Sequence, residues 1–126
     1  DDLYRFGRQL GLAFQVVDDI LDFTGSDQQL GKPAASDLAS GYLTAPTFFA
    51  MEEHPELQAL ISREFAEPGD LDDALEMVRS SRAIARTREL AETFASESRD
   101  SIGWMKDSAS KRALLELPDF VLSRLY

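Results

Sequence analysis

Three carboxylates, Asp18, Asp19 and Asp22, interrupt an otherwise apolar run, Gly-Leu-Ala-Phe-Gln-Val-Val-Asp-Asp-Ile-Leu-Asp, over residues 11–22. At about 100° per residue, Gly7, Gly11, Gln15, Asp18 and Asp22 fall on one stripe of a helix, with Asp19 beside it. Leu3, Phe6, Leu10, Leu12, Phe14, Val16, Val17, Ile20, Leu21 and Phe23 cover the rest. A helix apolar on most sides is expected to be buried on most sides, and buried carboxylates need a partner. No Lys or Arg lies between Arg8 and Lys32, so the partner implied by the local sequence is a cation from outside.

Asp18 and Asp22 are one helical turn apart and can converge on one point. An all-oxygen donor set with no His or Cys nearby selects a hard ion, Mg²⁺, Mn²⁺ or Ca²⁺, over zinc. The segment does not scan as an EF-hand loop. Counted from Asp18, the third ligand position is Ile20, and Phe23 stands where that loop needs Gly. Mg²⁺ takes one or two protein carboxylates and completes its octahedron with water and substrate phosphate. The stripe therefore reads as a Mg²⁺–diphosphate clamp on which Asp18 and Asp22 converge. The competing reading is a solvated acidic patch, against which the apolar flanks count.

The stretch from Thr24 to Asp37 is a loop by its Gly, Pro, Ser and Asp content. Lys32 stands in it between Gly31 and Pro33. An ammonium held beside that kink could clamp a diphosphate already bridged to the ion, or it is an ordinary surface lysine. Asp37 is placed to cap the helix that follows.

These residues carry a family resemblance. The string Phe6-Gly-x-x-Leu-Gly-Leu-Ala-Phe-Gln-Val-Val-Asp-Asp-Ile-Leu-Asp22, then Gly31-Lys-Pro, then Asp37-Leu-x-x-Gly-x-x-Thr-x-Pro46, resembles the trans-isoprenyl diphosphate synthases, with DDxxD matching their second aspartate-rich motif. Through Gly41-Tyr-Leu-Thr-Ala-Pro-Thr-Phe-Phe-Ala50 and Leu117-Pro-Asp-Phe-Val-Leu-Ser-Arg-Leu-Tyr126 the likeness is strongest to long-chain, solanesyl-type members of cyanobacteria and plastids, and it covers the whole chain. The resemblance implies a Mg²⁺-dependent condensation of isopentenyl diphosphate with an allylic diphosphate. It assigns Asp18, Asp19 and Asp22 to the metal and the chemistry, and Lys32 to holding the diphosphate. Gln15 would orient the diphosphate or stabilise the carbocation, and Asp37 would approach the metal shell.

It further implies a homodimer at full length, located in a bacterial or cyanobacterial cytoplasm or in a plastid. The family's first aspartate-rich motif and upstream basic residues are not among residues 1–126. The expectation is thus a single partial domain, the C-terminal portion of a longer enzyme, inactive alone. Many relatives carry Lys after the glycine equivalent to Gly41; here it is Tyr42, which weakens a second cationic clamp. The rivals are a non-catalytic or regulatory subunit of a heteromeric synthase and a plain helical interaction module. A terpene cyclase is disfavoured by the segments after Asp37.

The elements that must position these groups are helices. The helical run of residues 1–24 is followed by predicted helices over 41–53, 55–65 and 71–81. Pro55 begins the second of these, and Asp70 caps the third. His54, the sole histidine, reads as a capping residue. An amphipathic packing helix over 81–105 carries the helical pattern Ile84, Thr87/Arg88, Ala91, Phe94/Ala95, Ser98 and Ile102, with Trp104 expected in the core. A last helix starts at Ser108 or Ser110 and is kinked or restarted at Pro118, and Arg124 near its end is expected in a surface ion pair.

No strand-like alternation occurs, so the fold class is all-α, the C-terminal helices of an isoprenoid-synthase-type bundle. Forty-four per cent hydrophobic residues suffice for a core, and a net charge of −10 argues against a nucleic-acid partner. There is no cysteine for a disulfide frame and no apolar run long enough to span a membrane.

Overall fold

A computed structural model describes residues 1–25 and 35–126. Among the described residues every regular element is a helix, as expected. In chain order they are α1 (Asp2–Thr24), α2 (Ser36–Ala39), α3 (Ala45–Glu53), α4 (Leu57–Ser62), α5 (Asp70–Ser80), α6 (Ala83–Ser101) and α7 (Ala109–Ser123). They divide into two compact units, residues 1–18 with 88–126, and residues 19–87.

In the first unit, α1 starts where the Asp1 carboxylate accepts the backbone N–H groups of Leu3 and Tyr4 at 2.8 and 3.4 Å, satisfying donors with no intrahelical partner. Its buried positions, Phe6, Ala13, Val16 and Val17, repeat at helical spacing. In α6 the buried set Ala91, Ala95 and Ser98 is small, continued by Ile102 just past the helix end. Small side chains there allow close helix approach. Ser108 caps α7, its Oγ accepting the Lys111 N–H at 3.0 Å.

Two expectations fail in this unit. Pro118 does not restart α7, which continues through it as one helix. Its ring is fully buried, and that packing offsets the one backbone bond proline cannot make. Trp104 is 66% exposed rather than in the core. Ile102 takes the buried position after α6, and the indole N–H donates to the Ser101 carbonyl at 3.0 Å.

The second unit packs Phe23, Leu38, Ala50, Leu57, Ala74, Val78 and Ala83 into one core. Here helix ends, not helix identities, depart from expectation. The helix expected from Gly41 begins at Ala45, because Gly41 (φ 86°) turns the chain after α2. The helix expected over 55–65 is confined to α4, because Glu64 and Phe65 both take left-handed φ (55° and 56°). The Glu64 and Phe65 N–H groups donate to Ile61 and Leu60 carbonyls at 2.9 and 3.1 Å, closing that end of the helix.

Asp70 does not cap α5 from outside but is its first residue, preceded by Gly69 at φ 87°. Its buried carboxylate takes the Arg63 guanidinium through two contacts of 2.6 and 2.7 Å, and also accepts the Glu67 N–H. His54 lies at the end of α3. It contributes its carbonyl to the Leu57 N–H at 3.0 Å, while its ring stands 3.2 Å from Glu56.

Candidate functional site

The aspartate stripe lies in the second half of α1, and its members differ sharply in setting. Gly7, Gly11, Phe14 and Gln15 form an exposed side of the helix, and a Cβ added at either glycine would meet nothing within 4 Å. The glycines therefore leave open space on the side that carries Gln15. Asp18 follows on that side and is 39% exposed, while Asp19 and Asp22 are buried.

Asp18 is not left to a cation from outside. The Arg124 guanidinium, just past α7, lies 2.7 Å from its Oδ1 and 4.8 Å from the centroid of the Phe14 ring. Phe14 precedes Asp18 by one helical turn, so α1 holds the guanidinium by charge and by its aromatic face together. Arg124 is thus in a surface ion pair, as expected. Its partner is the first carboxylate of the motif, a pairing no local pattern could reveal.

Asp22 is spent differently. Its Oδ1 lies 3.3 Å from the Ser36 hydroxyl, which donates to it, and its Oδ2 accepts the Asp37 N–H at 3.2 Å. Its backbone carbonyl accepts the Ala35 N–H at 2.6 Å. The start of α2 is therefore tied to α1 by Asp22. The expectation that Asp37 caps this helix is corrected: Ala35 is the N-cap, no side chain caps it, and Asp37 sits in the first turn. Asp37 does come beside the motif, through its backbone. Nearby, Arg79 donates to the Phe23 carbonyl from Nε and Nη2 at 3.3 and 3.0 Å, supplying positive charge to the C-terminal end of α1.

Lys32 and its flanks Gly31 and Pro33 lie outside the described residues. Tyr42 is 68% exposed. A cavity of about 350 Å³ in the second unit is lined by Leu38, Ala39, Ser40, Gly41, Leu43, Ile61, Glu64 and Phe65. Among the described residues that lining holds one acid and no basic side chain, so it offers a phosphate no charge partner.

The donors fit a hard divalent ion on two counts. The acidic side chains offer only oxygen, and the half-exposed Asp18 already draws a cationic group to bonding distance. Among the described residues no three His, Cys, Asp or Glu side chains close into a cage. An ion here would depend on few protein oxygens, which is how Mg²⁺ is commonly held.

The chain is similar to known prenyl transferases and polyprenyl synthases. The chain is 55% identical to a prenyl transferase of Synechocystis sp. over all of its length and 39% of that protein's. It is 47% identical to the chloroplastic solanesyl diphosphate synthase 2 of Arabidopsis thaliana, over 99% of this chain and 30% of that one. The chain thus spans well under half the length of these curated relatives. Among solved structures, a polyprenyl synthase from Caulobacter crescentus, complexed with calcium and isoprenyl diphosphate, superposes with a TM-score of 0.81. It is 32% identical, over 94% of this chain and 38% of that one. Among the described residues no helix is long and apolar enough to cross a membrane. With the polyprenyl synthetase family model matching residues 1–78, the chain belongs to the polyprenyl synthetase family.

Proposed function

We propose that this chain is part of a Mg²⁺-dependent prenyltransferase that condenses isopentenyl diphosphate with an allylic diphosphate to give a long-chain, solanesyl-type polyprenyl diphosphate. The observation that carries the reading is the half-exposed Asp18, which draws the Arg124 guanidinium to 2.7 Å, on the side of α1 that also presents Gln15. Asp18, with Asp19 and Asp22, would hold Mg²⁺. When bound, the ion neutralises charge on the diphosphate leaving group, which lowers the cost of forming an allylic carbocation.

The residues of the chain do the rest by position. Gln15, one turn from Asp18 and Asp19, would orient the diphosphate and offer its amide dipole to developing charge. Lys32 would neutralise a further phosphate oxygen, and Asp37 would support the metal shell. Whole, the protein is proposed to be a homodimer of a bacterial or cyanobacterial cytoplasm or a plastid. The polypeptide of residues 1–126 alone is proposed to be inactive.

Asp18→Asn in the full-length protein tests this. It should lower kcat for isopentenyl diphosphate condensation by about 100-fold or more, the scale of a lost metal contact, and weaken Mg²⁺-dependent binding of an allylic diphosphate. Unchanged kinetics overturn the assignment.

A second reading, the non-catalytic subunit, draws on the use of both Asp18 and Asp22 in contacts within the chain. It predicts a purified full-length protein with no activity until a partner chain is added.

A further inference from the structure

We propose that Arg124 is a built-in counter-ion for Asp18 that a divalent cation must displace, so that cation loading and the hold on residues 124–126 are coupled. The proposal rests on the reading of Asp18 as a metal ligand and adds a role for a residue outside the motif.

The geometry is particular. Arg124 closes α7, and its guanidinium is fixed to α1 at two points one turn apart, Asp18 Oδ1 at 2.7 Å and the Phe14 ring at 4.8 Å. The chain after it is held as well, with the Tyr126 hydroxyl 3.4 Å from Glu92 and the Arg88 guanidinium 5.6 Å from the Tyr126 ring. A guanidinium does not lose its proton in a protein. It therefore cannot make way for a second cation by becoming neutral; it can make way only by moving.

Two cations on one carboxylate oppose each other. A divalent ion has the stronger claim, because the Arg124–Asp18 pair is one-third exposed on the arginine side, and exposed pairs are weak. Arg124 thus shields Asp18 while no ion is there and sets the cation concentration at which the site fills. Once released, the guanidinium stays tethered at the end of α7, next to the face presenting Phe14.

The test uses Mn²⁺ alone, without diphosphate, on the full-length protein, with free Mn²⁺ read by electron paramagnetic resonance. Arg124→Gln should bind Mn²⁺ about two- to fivefold more tightly than wild type, the range set by one exposed ion pair. Arg124→Lys, which keeps the charge, should stay near wild type. In the wild type, Mn²⁺ should raise amide hydrogen exchange over residues 119–126. Unchanged or weaker Mn²⁺ binding by Arg124→Gln overturns the competition, and unchanged exchange over 119–126 overturns the coupling.

Asp18→Asn separates the two levels. If it abolishes Mn²⁺ binding while Arg124→Gln does nothing, the counter-ion role fails and the metal reading stands. If it binds Mn²⁺ like wild type, both fall.

Discussion

Two aspartates on one stripe of one helix do different work, and the difference lies in what surrounds each. Asp18 is half-exposed and paired with a guanidinium at the end of a long side chain. Asp22 is 2% exposed and bound to the first turn of α2 through the Ser36 hydroxyl and the Asp37 N–H. Deleting its carboxylate leaves those half-buried donors without their acceptor, which costs about 1–3 kcal/mol. Asp22→Ala should therefore lower unfolding free energy by that order in urea titrations with a chelator present. Asp18→Ala under the same conditions should lose at most about 1 kcal/mol, the worth of an exposed pair. Equal losses would remove the distinction. The stripe itself was legible from sequence because helical period is local. Its split was not, since Arg124 and Ser36 reach it only through the fold.

At the scale of elements, helix identity was easier to read than helix ends. The long α1 and α6 follow from sustained apolar spacing, whereas α3 and α4 are trimmed by backbone conformation at Gly41, Glu64 and Phe65. Left-handed φ at Glu64 and Phe65 has no compositional signal, as neither residue is Gly or Asn. The contact that seals this region is equally unmarked in composition. Arg63, just past α4, pairs with Asp70 at the start of α5, in place of the cap that composition suggested. That hydrogen-bonded guanidinium holds the Asp70 carboxyl below its ordinary value, with the Glu67 N–H assisting and burial opposing.

A carboxylate whose folded pKa is depressed contributes stability that is fully present above its unfolded pKa, about 3.9 for Asp. That contribution is lost as pH falls through the folded value. Asp70→Asn should accordingly melt several degrees below wild type at pH 6 and above. The gap should begin to narrow below about pH 4 as wild-type Asp70 is protonated. A melting-temperature difference that stays constant down to pH 2.5, or one that widens there, would contradict the sign of this argument.

At the scale of the whole chain, the dominant quantity is a net charge of −10. Family membership and helical class were both legible, because the motif string is dense and no stretch alternates like a strand. The long-range field was legible as well, and under the proposed function it has a consequence for how a diphosphate would arrive. A diphosphate approaching so acidic a chain is repelled, while a divalent cation is drawn in, so the two should bind in a mutually dependent way. Screening discriminates the terms. The Debye length shortens severalfold between about 50 and about 500 mM salt, which weakens the attraction for the cation and the repulsion of the anion together. Mn²⁺ affinity measured without diphosphate should therefore fall severalfold over that range. Binding of an allylic diphosphate without metal should be weak at low salt and should not weaken further as salt rises. Metal-free diphosphate binding that is tight at low salt and collapses at high salt would mean that a basic cluster, and not the aspartate stripe, governs capture. Lys32 would then be the first residue of this chain to substitute.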